Sequence, residues 1–319
     1  AEHSLFCDYD RTELYGELAT LYGSADEAEI TVTFDGKRIR RERLTLRGRH
    51  NRYRFALPKD YTDDYSWSPE NPRLLYVDFA LYKGGKQIDL AHTRIGMRKI
   101  SVDEHGRICL NNRPYYQRLV LDQGYWQESG LTPPSAEAIR KDIELAKAMG
   151  FNGARKHQKL EDPYYCYYAE ELGFLTWCEM PSAYRFCAEE AAAITQEWQE
   201  IVRAGRNCTS NVCYVPLNES WGVREISAEE TQKAFARSLY YLTKSLDPTR
   251  LISTNDGFET VNPTDILGVH DYDSEKAEDF QKYANGYDGM HPQGFALFAE
   301  GERYAGEPAL LTEFGGRAF

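Results

Sequence analysis

The chain has 319 residues, a length that suits one large domain together with a small one. Hydrophobic residues make up 42% of the sequence, which is enough for a buried core and argues against intrinsic disorder. The formal net charge of −12 argues against a nucleic-acid partner, because no basic stripe is available to neutralise phosphates. No apolar run reaches the roughly 18 residues that a membrane helix needs, so no membrane partner is expected.

Residues 1–98 are predicted to form a domain built of β-strands. Short segments rich in β-branched and aromatic residues follow one another, separated by turn signals such as Asp35-Gly36 and Gly84-Gly85. Several short strands at this spacing are typical of a β-sandwich. The predicted strands are Glu13–Leu21, Glu29–Phe34, Tyr53–Leu57, Leu74–Leu81 and Ile88–Ile95.

Residues 99–319 are predicted to form a second domain, in which strands and helices alternate after a connecting strand pair around Ile100–Leu110. Seven strands with helices between most of them predict a β/α barrel whose eighth strand lies outside this chain. A doubly wound sheet is the less favoured alternative, since no Gly-rich phosphate loop follows the first strand. The predicted strands are Tyr115–Asp122, Phe151–His157, Phe174–Met180, Val212–Leu217, Leu251–Thr254, Ile266–Val269 and Ala309–Thr312.

Capping residues mark the helices of this second domain. Ser135 is a predicted N-cap, and Gly150 follows the last turn of the helix that Ser135 begins. Asp162 and Pro163 start a second helix in cap-then-N1 fashion. Ser227–Glu230 reads as a capping box that starts a fourth helix. The apolar faces predicted for the third and fourth helices are Ile194, Trp198, Ile201 and Val202, and Phe235, Leu239, Leu242 and Leu246.

Cysteines and histidines give no sign of a disulfide framework or a metal site. The seven cysteines are scattered with no CxxC pair, and the histidines do not supply a ligand cluster. We therefore expect no disulfide framework, no metal and no cofactor, and we place the chain in a reducing cytoplasm. The 23 tyrosines and 5 tryptophans are a high share of flat rings, which sugar-binding clefts use but which also suit cores and interfaces.

The predicted strands end in polar or ionisable side chains, where a β/α barrel builds its active site. Turn chemistry alone would favour Gly, Asn, Asp and Ser at these positions, yet Arg, His and Glu are prominent. The strand-end residues are Asp122, Arg155, His157, Glu179, Asn218, Glu219, Asn255, Asp256, His270, Tyr272 and Glu313.

Glu219 lies at the end of the fourth predicted strand and Glu313 at the end of the seventh. The two side chains can therefore face each other across the barrel mouth. Two carboxylates roughly 5–5.5 Å apart are what a retaining glycosidase needs, one as nucleophile and one as acid and base. A nucleophile must stay ionised and therefore needs a cation or donor nearby, which Arg155 and Tyr272 can provide. The acid needs a raised pKa, which the other carboxylate and partial burial would supply.

The chain resembles glycoside hydrolase family 2, the group of β-galactosidases, β-glucuronidases and β-mannosidases, over almost its whole length. The two glutamate motifs in this order are a fairly specific signal, whereas either alone would be weak. The motifs that carry the resemblance are Trp67…Pro72…Leu75-Tyr76, Gly96–Arg98, Leu110–Pro114, Phe151–His157, Asn218–Gly222 and Thr312–Gly316.

The resemblance implies an immunoglobulin-like sandwich over residues 1–98 and a (β/α)8 barrel over residues 99–319. It also implies that Glu219 is the acid and base, that Glu313 is the nucleophile, and that Tyr272 supports Glu313. The carbohydrate substrate is expected to be a β-galactoside, with β-glucuronides and β-mannosides as alternatives, and a homo-oligomer is left open. The substrate-binding residues are expected to be Asp122, Arg155, His157, Asn218, Trp221, His270 and Tyr272.

The chain departs from the family pattern in ways that support a second class of function. We expect that the jelly-roll domain before the sandwich and the eighth barrel strand lie outside this chain, so that the chain alone is a weak catalyst. Lys156–Lys159 also differs from the usual proline-bearing stretch. A non-catalytic carbohydrate-binding fragment is therefore the alternative function.

Several candidate residues also have a purely structural reading. Arg155 could be an ion-pair partner for Glu179 or Glu313, and His157 and His270 could be hydrogen-bonded core histidines. Trp221 could serve packing alone. Asn255 and Asp256 could do no more than form a turn with Gly257.

Overall fold

The computed structural model describes residues 2–20, 25–58, 65–273, 276–283 and 287–316. The first hundred residues form two antiparallel sheets, one in the order β1-β2-β5 and the other in the order β4-β3-β8-β9, and a small hairpin β6-β7. The strands are β1 (Glu2–Asp8), β2 (Glu13–Ala19), β3 (Glu27–Phe34), β4 (Lys37–Thr45), β5 (His50–Ala56), β6 (Trp67–Ser68), β7 (Asn71–Pro72), β8 (Leu75–Lys83) and β9 (Lys86–Ile95).

The two sheets enclose one hydrophobic core, as the alternation of the sequence predicts. In β3, Ile30, Val32 and Phe34 are buried while the threonines between them are half-buried. In β5, Tyr53 and Phe55 point into the same core. Because a strand turns successive side chains to opposite faces, this alternation buries one face of each sheet and gives a sandwich. All five predicted strands are present, and β1, β4, β6 and β7 are additional strands that the sequence analysis did not identify.

The remainder of the chain places helices between parallel strands. A short antiparallel sheet, β10-β11-β12, leads into a five-stranded parallel sheet, β13-β14-β15-β16-β17, and β18 pairs with β19 in parallel. The strands are β10 (Ile100–Val102), β11 (Ile108–Leu110), β12 (Arg113–Pro114), β13 (Leu119–Asp122), β14 (Gly153–Lys156), β15 (Leu175–Glu179), β16 (Asn211–Val215), β17 (Leu251–Ile252), β18 (Leu267–Asp271) and β19 (Ala309–Phe314). The helices are α1 (Ala136–Ala148), α2 (Pro163–Leu172), α3 (Ala188–Gly205), α4 (Glu230–Leu246) and a 3-10 helix (Ala277–Tyr283).

The order of the parallel strands follows the chain without a reversal. A doubly wound sheet reverses its order at a switch point, so the described strands do not fit that alternative. Every residue of β14, β15, β16 and β18 is buried, as expected for parallel strands covered on both faces. The fold is therefore a multidomain arrangement of β and α/β parts.

Two helix starts are as predicted and one is not. Ser135 caps α1, where its Oγ accepts a hydrogen bond from the Ala138 amide at 3.1 Å, and Asp162 caps α2 in the same way through Tyr164. The predicted capping box at Ser227 is wrong, because α4 begins at Glu230 after an N-cap residue, Glu229, that makes no side-chain bond. A turn closed by the Glu229 amide on the Glu225 carbonyl precedes the helix and holds Ser227 outside it.

The predicted apolar faces cover the parallel sheet. Ile194, Trp198, Ile201 and Val202 of α3 are all buried. On α4 Leu239 is fully buried, whereas Phe235, Leu242 and Leu246 are partly buried against the same core cluster. No helix of the described residues is both long enough and apolar enough to span a bilayer.

Arg98 and Trp67 join the sandwich to the parallel sheet. Arg98 is buried and donates to the carbonyl of Thr209 at 2.9 Å and to that of Asn211 at 2.6 Å. Trp67 donates through Nε1 to the Glu170 carbonyl at 2.9 Å. Asn211 begins β16, so the sandwich supports the strand that leads to Glu219.

The expectation of no disulfide is wrong at one place. Cys166 of α2 and Cys208, which follows α3, are joined by a disulfide with a Cα–Cα distance of 6.0 Å. The pair is 42 residues apart in sequence, and only the packing of α2 beside the α3–β16 loop brings it together. Sequence spacing carries no signal for such a bond. The disulfide also removes the argument from cysteine usage for a reducing cytoplasm.

Candidate active site

Arg155 of β14 is the centre of a buried polar network at the carboxyl ends of the parallel strands. Its Nε lies 2.7 Å from Glu179 Oε2, and its Nη1 lies 3.0 Å from both Asp256 Oδ2 and Glu313 Oε1. Its Nη2 donates to Asn218 Oδ1 at 2.7 Å. Burial would lower the pKa of Arg155, but Asp256, Glu179 and Glu313 outweigh burial and raise it. The guanidinium thus stays charged and fixes four strand ends relative to one another.

His270 of β18 connects the carboxylates on the other side of the network. Its Nδ1 lies 2.8 Å from Glu219 Oε1, and its Nε2 lies 3.1 Å from Asp256 Oδ2 and 3.4 Å from Glu313 Oε1. Burial alone would lower the pKa of His270, yet the hydrogen bonds to Asp256 and Glu219 outweigh it and raise the pKa to about 9. The imidazole is therefore protonated at neutral pH and donates from both ring nitrogens.

Glu219 and Glu313 lie close together, as the sequence predicts. One carboxylate oxygen of each glutamate and one ring nitrogen of His270 all lie within 4.8 Å of one another. The Tyr272 hydroxyl donates to Glu313 Oε2. The hydrogen bond from His270 lowers the pKa of Glu219 despite partial burial, so the raised pKa expected for the acid is wrong for this resting arrangement.

The backbone at Glu219 adopts a conformation that non-glycine residues rarely use. Glu219 has a φ of 50° and Ser220 a φ of 55°, both in the left-handed region. The Glu219 amide donates to the Asp256 carbonyl at 2.9 Å, and the Ser220 amide donates to Asn255 Oδ1 at 3.0 Å. Left-handed residues cost roughly 1–3 kcal/mol each unless neighbours hold them, and the segment after β17 supplies those neighbours. The turn aims the Glu219 side chain at His270.

The network holds more acids than cations. Four carboxylates face two cations, Arg155 and the protonated His270. The carboxylates are those of Glu179, Asp256, Glu219 and Glu313. Burial would raise the pKa of Asp256, but the Arg155 charge and the His270 hydrogen bond lower it. An acidic cluster of this kind favours a reaction in which positive charge develops between the carboxylates.

The chain is similar to curated proteins that are named as β-glycosidases, although no family model matches it. It is 26% identical over 230 residues to a putative β-glucuronidase of Formosa agariphila, a match that covers 70% of this chain and 27% of that protein. It is 25% identical over 211 residues to a β-galactosidase of Pseudoalteromonas haloplanktis, covering 63% of this chain and 19% of that protein. The chain therefore spans between about a fifth and about a quarter of the length of these relatives.

Solved structures share the fold at lower identity. A glycosyl hydrolase family 2 member from Bacteroides cellulosilyticus aligns with a TM-score of 0.68 at 20% identity, over 88% of this chain and 40% of that one. Bacteroides uniformis β-glucuronidase 2, covalently bound to cyclophellitol-6-carboxylate aziridine, aligns with a TM-score of 0.62 at 20% identity, over 89% of this chain and 35% of that one. The relatives and the solved neighbours are thus named as β-glucuronidases, as β-galactosidases or as glycosyl hydrolase family 2 members, which is the group that the sequence motifs resemble. The resemblance stated from its motifs is confirmed.

Most of the predicted site residues lie in the network. Arg155, Asn218, Glu219, His270, Tyr272 and Glu313 are joined by the contacts described above. His157 borders them, with its Nδ1 3.0 Å from Glu179 Oε1 and 3.8 Å from Glu313 Oε1, without the angles of a hydrogen bond.

Asp122 lies apart from the network. Its carboxylate pairs with Lys156 Nζ and accepts a hydrogen bond from the Gly124 amide at 2.7 Å. Lys156 follows Arg155 in β14 and therefore points to the opposite face, where its Nζ lies 4.6 Å from the centre of the Tyr165 ring of α2. The Asp122 carboxylate is thus engaged in an ion pair outside the network. The substrate contact predicted for Asp122 stays a prediction.

Two buried acids of the network, Glu179 and Asp256, are strand-end residues for which the sequence analysis predicted no role in the site. Glu179 ends β15 and Asp256 follows β17, and both are fully buried against Arg155. Neither has a motif of its own. The signal that could have identified them is the position itself, since a carboxylate at the end of a buried parallel strand requires a cation.

Among the residues that the structure describes, two groups of side chains have spacings that would suit a metal ion. The first group is Cys166, Glu170 and Cys208, but its thiols are joined as a disulfide. The second group is His270 with Glu219 and Glu313. We assign no metal to it, because both ring nitrogens of His270 are hydrogen-bonded to carboxylates.

Proposed function

We propose that the protein is a retaining β-glycosidase in which Glu313 is the nucleophile and Glu219 is the acid and base. The observation that carries the proposal is the approach of the two carboxylates, with oxygens within 4.8 Å, at the ends of two parallel strands. Retaining enzymes hold their carboxyl groups about 5–5.5 Å apart, whereas inverting enzymes need about 6.5–9.5 Å to admit a water.

The surroundings of Glu313 suit a nucleophile. Arg155 Nη1 and the Tyr272 hydroxyl both donate to its carboxylate, so two donors hold the carboxylate in position beside a cation. Glu313 attacks the anomeric carbon while the glycosidic oxygen leaves, and a glycosyl ester forms. In the second step water attacks the same carbon, the ester bond breaks and Glu313 is released.

The surroundings of Glu219 suit a group that gains and loses a proton. In the first step Glu219 gives a proton to the leaving oxygen, and in the second it takes one from the attacking water. The resting pair of Glu219 and His270 already holds one proton, on a ring nitrogen 2.8 Å from Glu219 Oε1. We infer that this proton passes to Glu219 when the substrate oxygen arrives.

Asn218 is oriented for the sugar. Its Oδ1 accepts from Arg155 Nη2 at 2.7 Å, which leaves the side-chain amide NH2 as the donor that faces away from the guanidinium. A donor beside the nucleophile can bond the sugar 2-hydroxyl, as the family resemblance implies.

The types of the two domains are part of the same proposal. We infer that residues 1–98 are an immunoglobulin-like domain and that the seven parallel strands of residues 99–319 belong to a (β/α)8 barrel. Sequential strand order supports this, as does the meeting of β14, β15, β16, β18 and β19 at one polar network. A cytoplasmic location stays a prediction.

The substrate class follows from the names of the relatives. β-Galactosides are our first candidate and β-glucuronides the second, since both activities are named among the similar proteins. β-Mannosides and a non-catalytic carbohydrate-binding role are the remaining alternatives.

A panel of 4-nitrophenyl β-glycosides, assayed with the full-length protein that contains this chain, tests the proposal. We expect turnover of one sugar, initial release of the β-anomer by NMR, and a covalent adduct at Glu313 after treatment with the matching 2-deoxy-2-fluoro glycosyl fluoride. Release of the α-anomer would replace the retaining mechanism with an inverting one. Sugar binding with no turnover of any glycoside would favour the non-catalytic role.

A further inference from the structure

A cationic platform lies beside Glu219, outside the network described above. The Arg224 guanidinium carbon is 3.5 Å from the centre of the Trp221 ring, and Arg224 Nη1 donates to the Glu219 carbonyl at 3.4 Å. Tyr184, which is 81% exposed, meets the edge of the same indole at a centroid distance of 5.6 Å. Trp221 also contributes to the lowered pKa of the Glu219 carboxyl, after the larger effect of His270. We call Tyr184, Trp221 and Arg224 the Arg224 platform.

The position of the platform determines which part of a substrate it meets. On the proposed function, Glu219 protonates the leaving oxygen, so the leaving group must lie next to Glu219. Arg224 contacts the Glu219 carbonyl, and Trp221, on which Arg224 stacks, is two residues from Glu219 in the chain. The part of the substrate that contacts Arg224 is therefore the leaving group, and not the sugar that bonds to Glu313.

The stacking of Arg224 changes what Trp221 can recognise. A bare indole face would stack on an apolar sugar face, but here a guanidinium covers one face of the ring. The planar guanidinium keeps its outer N–H groups free to meet a carboxylate or sulfate in bidentate fashion. The platform therefore suits an anion better than a neutral sugar.

The ion pairs of the described residues leave Arg224 available for such a partner. Arg185, beside Tyr184, lies 2.7 Å from Glu190 Oε1, whereas Arg224 has no carboxylate within 4.0 Å among the residues that the structure describes. The nearby network contains four carboxylates, which would repel an anionic leaving group. One unpaired cation at its edge offsets that repulsion.

We propose that the Arg224 platform is a leaving-group subsite for an anionic aglycone, carrying a carboxylate or a sulfate. The inference rests on the proposed function for its geometry, because it takes Glu219 as the acid. It adds a second determinant of specificity to the sugar itself.

The test compares two leaving groups on one sugar, 3-carboxyphenyl and 3-carbamoylphenyl, in the full-length protein. The measured quantity is the ratio of kcat/KM for the charged substrate to that for the neutral one. We expect Arg224→Gln to lower this ratio by about two- to fivefold, the worth of one partly exposed charge contact, and Arg224→Lys to keep part of it. Added salt should lower the ratio of the wild type more than that of Arg224→Gln.

Arg185→Gln is the matched control, since it removes a neighbouring exposed arginine that already has a partner. We expect it to leave the ratio unchanged. An unchanged ratio in Arg224→Gln would overturn the subsite, because a merely structural role of Arg224 would weaken both substrates equally.

If the protein is not a glycosidase, the anionic subsite can still be tested by binding. If the wild type hydrolyses neither substrate, the two thioglycosides with the same leaving groups are compared by calorimetric binding. Tighter binding of the carboxylated compound, lost in Arg224→Gln, would retain the anionic subsite without the chemistry. Equal affinities would overturn the subsite as well.

Discussion

Glu219 is the residue whose two tasks can be separated by experiment. We expect Glu219→Ala to slow glycosides with poor leaving groups by roughly 10²–10⁴-fold, the usual worth of general acid catalysis. Activated leaving groups need no protonation, so their first step should suffer less. Added azide should restore turnover by replacing the water that Glu219 activates. The measurements are kcat/KM for a 4-methoxyphenyl and a 2,4-dinitrophenyl glycoside, and kcat for the 2,4-dinitrophenyl glycoside with and without azide. Equal losses on both, with no effect of azide, would remove Glu219 from this role.

His270 links the charge of the network to stability. Its pKa is about 9 in the folded chain against 6.5 unfolded, so its contribution is fully present below about pH 6.5 and is lost as pH rises through about 9. We expect the wild type to lose about 3 kcal/mol more unfolding free energy than His270→Asn between about pH 6 and pH 10. Urea unfolding of both proteins at these two pH values measures the difference. Parallel losses in the two proteins would show that His270 does not hold a proton on folding.

At the scale of single elements, helix caps provide a matched pair. Ser135 caps α1 by accepting from the Ala138 amide, whereas Ser227 lies before the N-cap residue Glu229 of α4. We therefore expect Ser135→Ala to cost about 1 kcal/mol of unfolding free energy. Ser227→Ala should cost less than about 0.5 kcal/mol, as at sites without such a bond. Urea midpoints of the two variants compare these values. A larger loss for Ser227→Ala would restore the capping box that the structure contradicts.

At the scale of the whole molecule, the disulfide ties α2 to the chain that enters β16. Closing a loop across a separation of 42 residues is worth about 4 kcal/mol in the unfolded-chain model. We expect Cys166→Ser to lower Tm and dithiothreitol to lower the Tm of the wild type but not that of the variant. Thiol titration in denaturant should find five free cysteines in the oxidised protein. Seven thiols would mean that the bond does not form in solution.

The sequence by itself determined the local features of this protein. Alternating strands, the caps at Ser135 and Asp162 and the buried faces of α3 depend on neighbours within a few residues, so their patterns could be read directly. The placement of Glu219 and Glu313 at strand ends was also predictable, because parallel strands bring their carboxyl ends to one edge. The helix start at Glu230 was not, because a turn before it competes with the capping box.

Only the tertiary structure decided which strand-end residues meet. Arg155 joins Glu179, Asp256 and Glu313 across separations of 24 to 158 residues. Asp122, at a strand end of the same kind, pairs instead with Lys156 on the opposite face of β14. The disulfide between Cys166 and Cys208 likewise depends on helix packing and not on the spacing of the two cysteines in the sequence. The physical reason is that a charge or thiol is paired by whatever the fold brings within a few ångströms, and sequence separation does not record that distance.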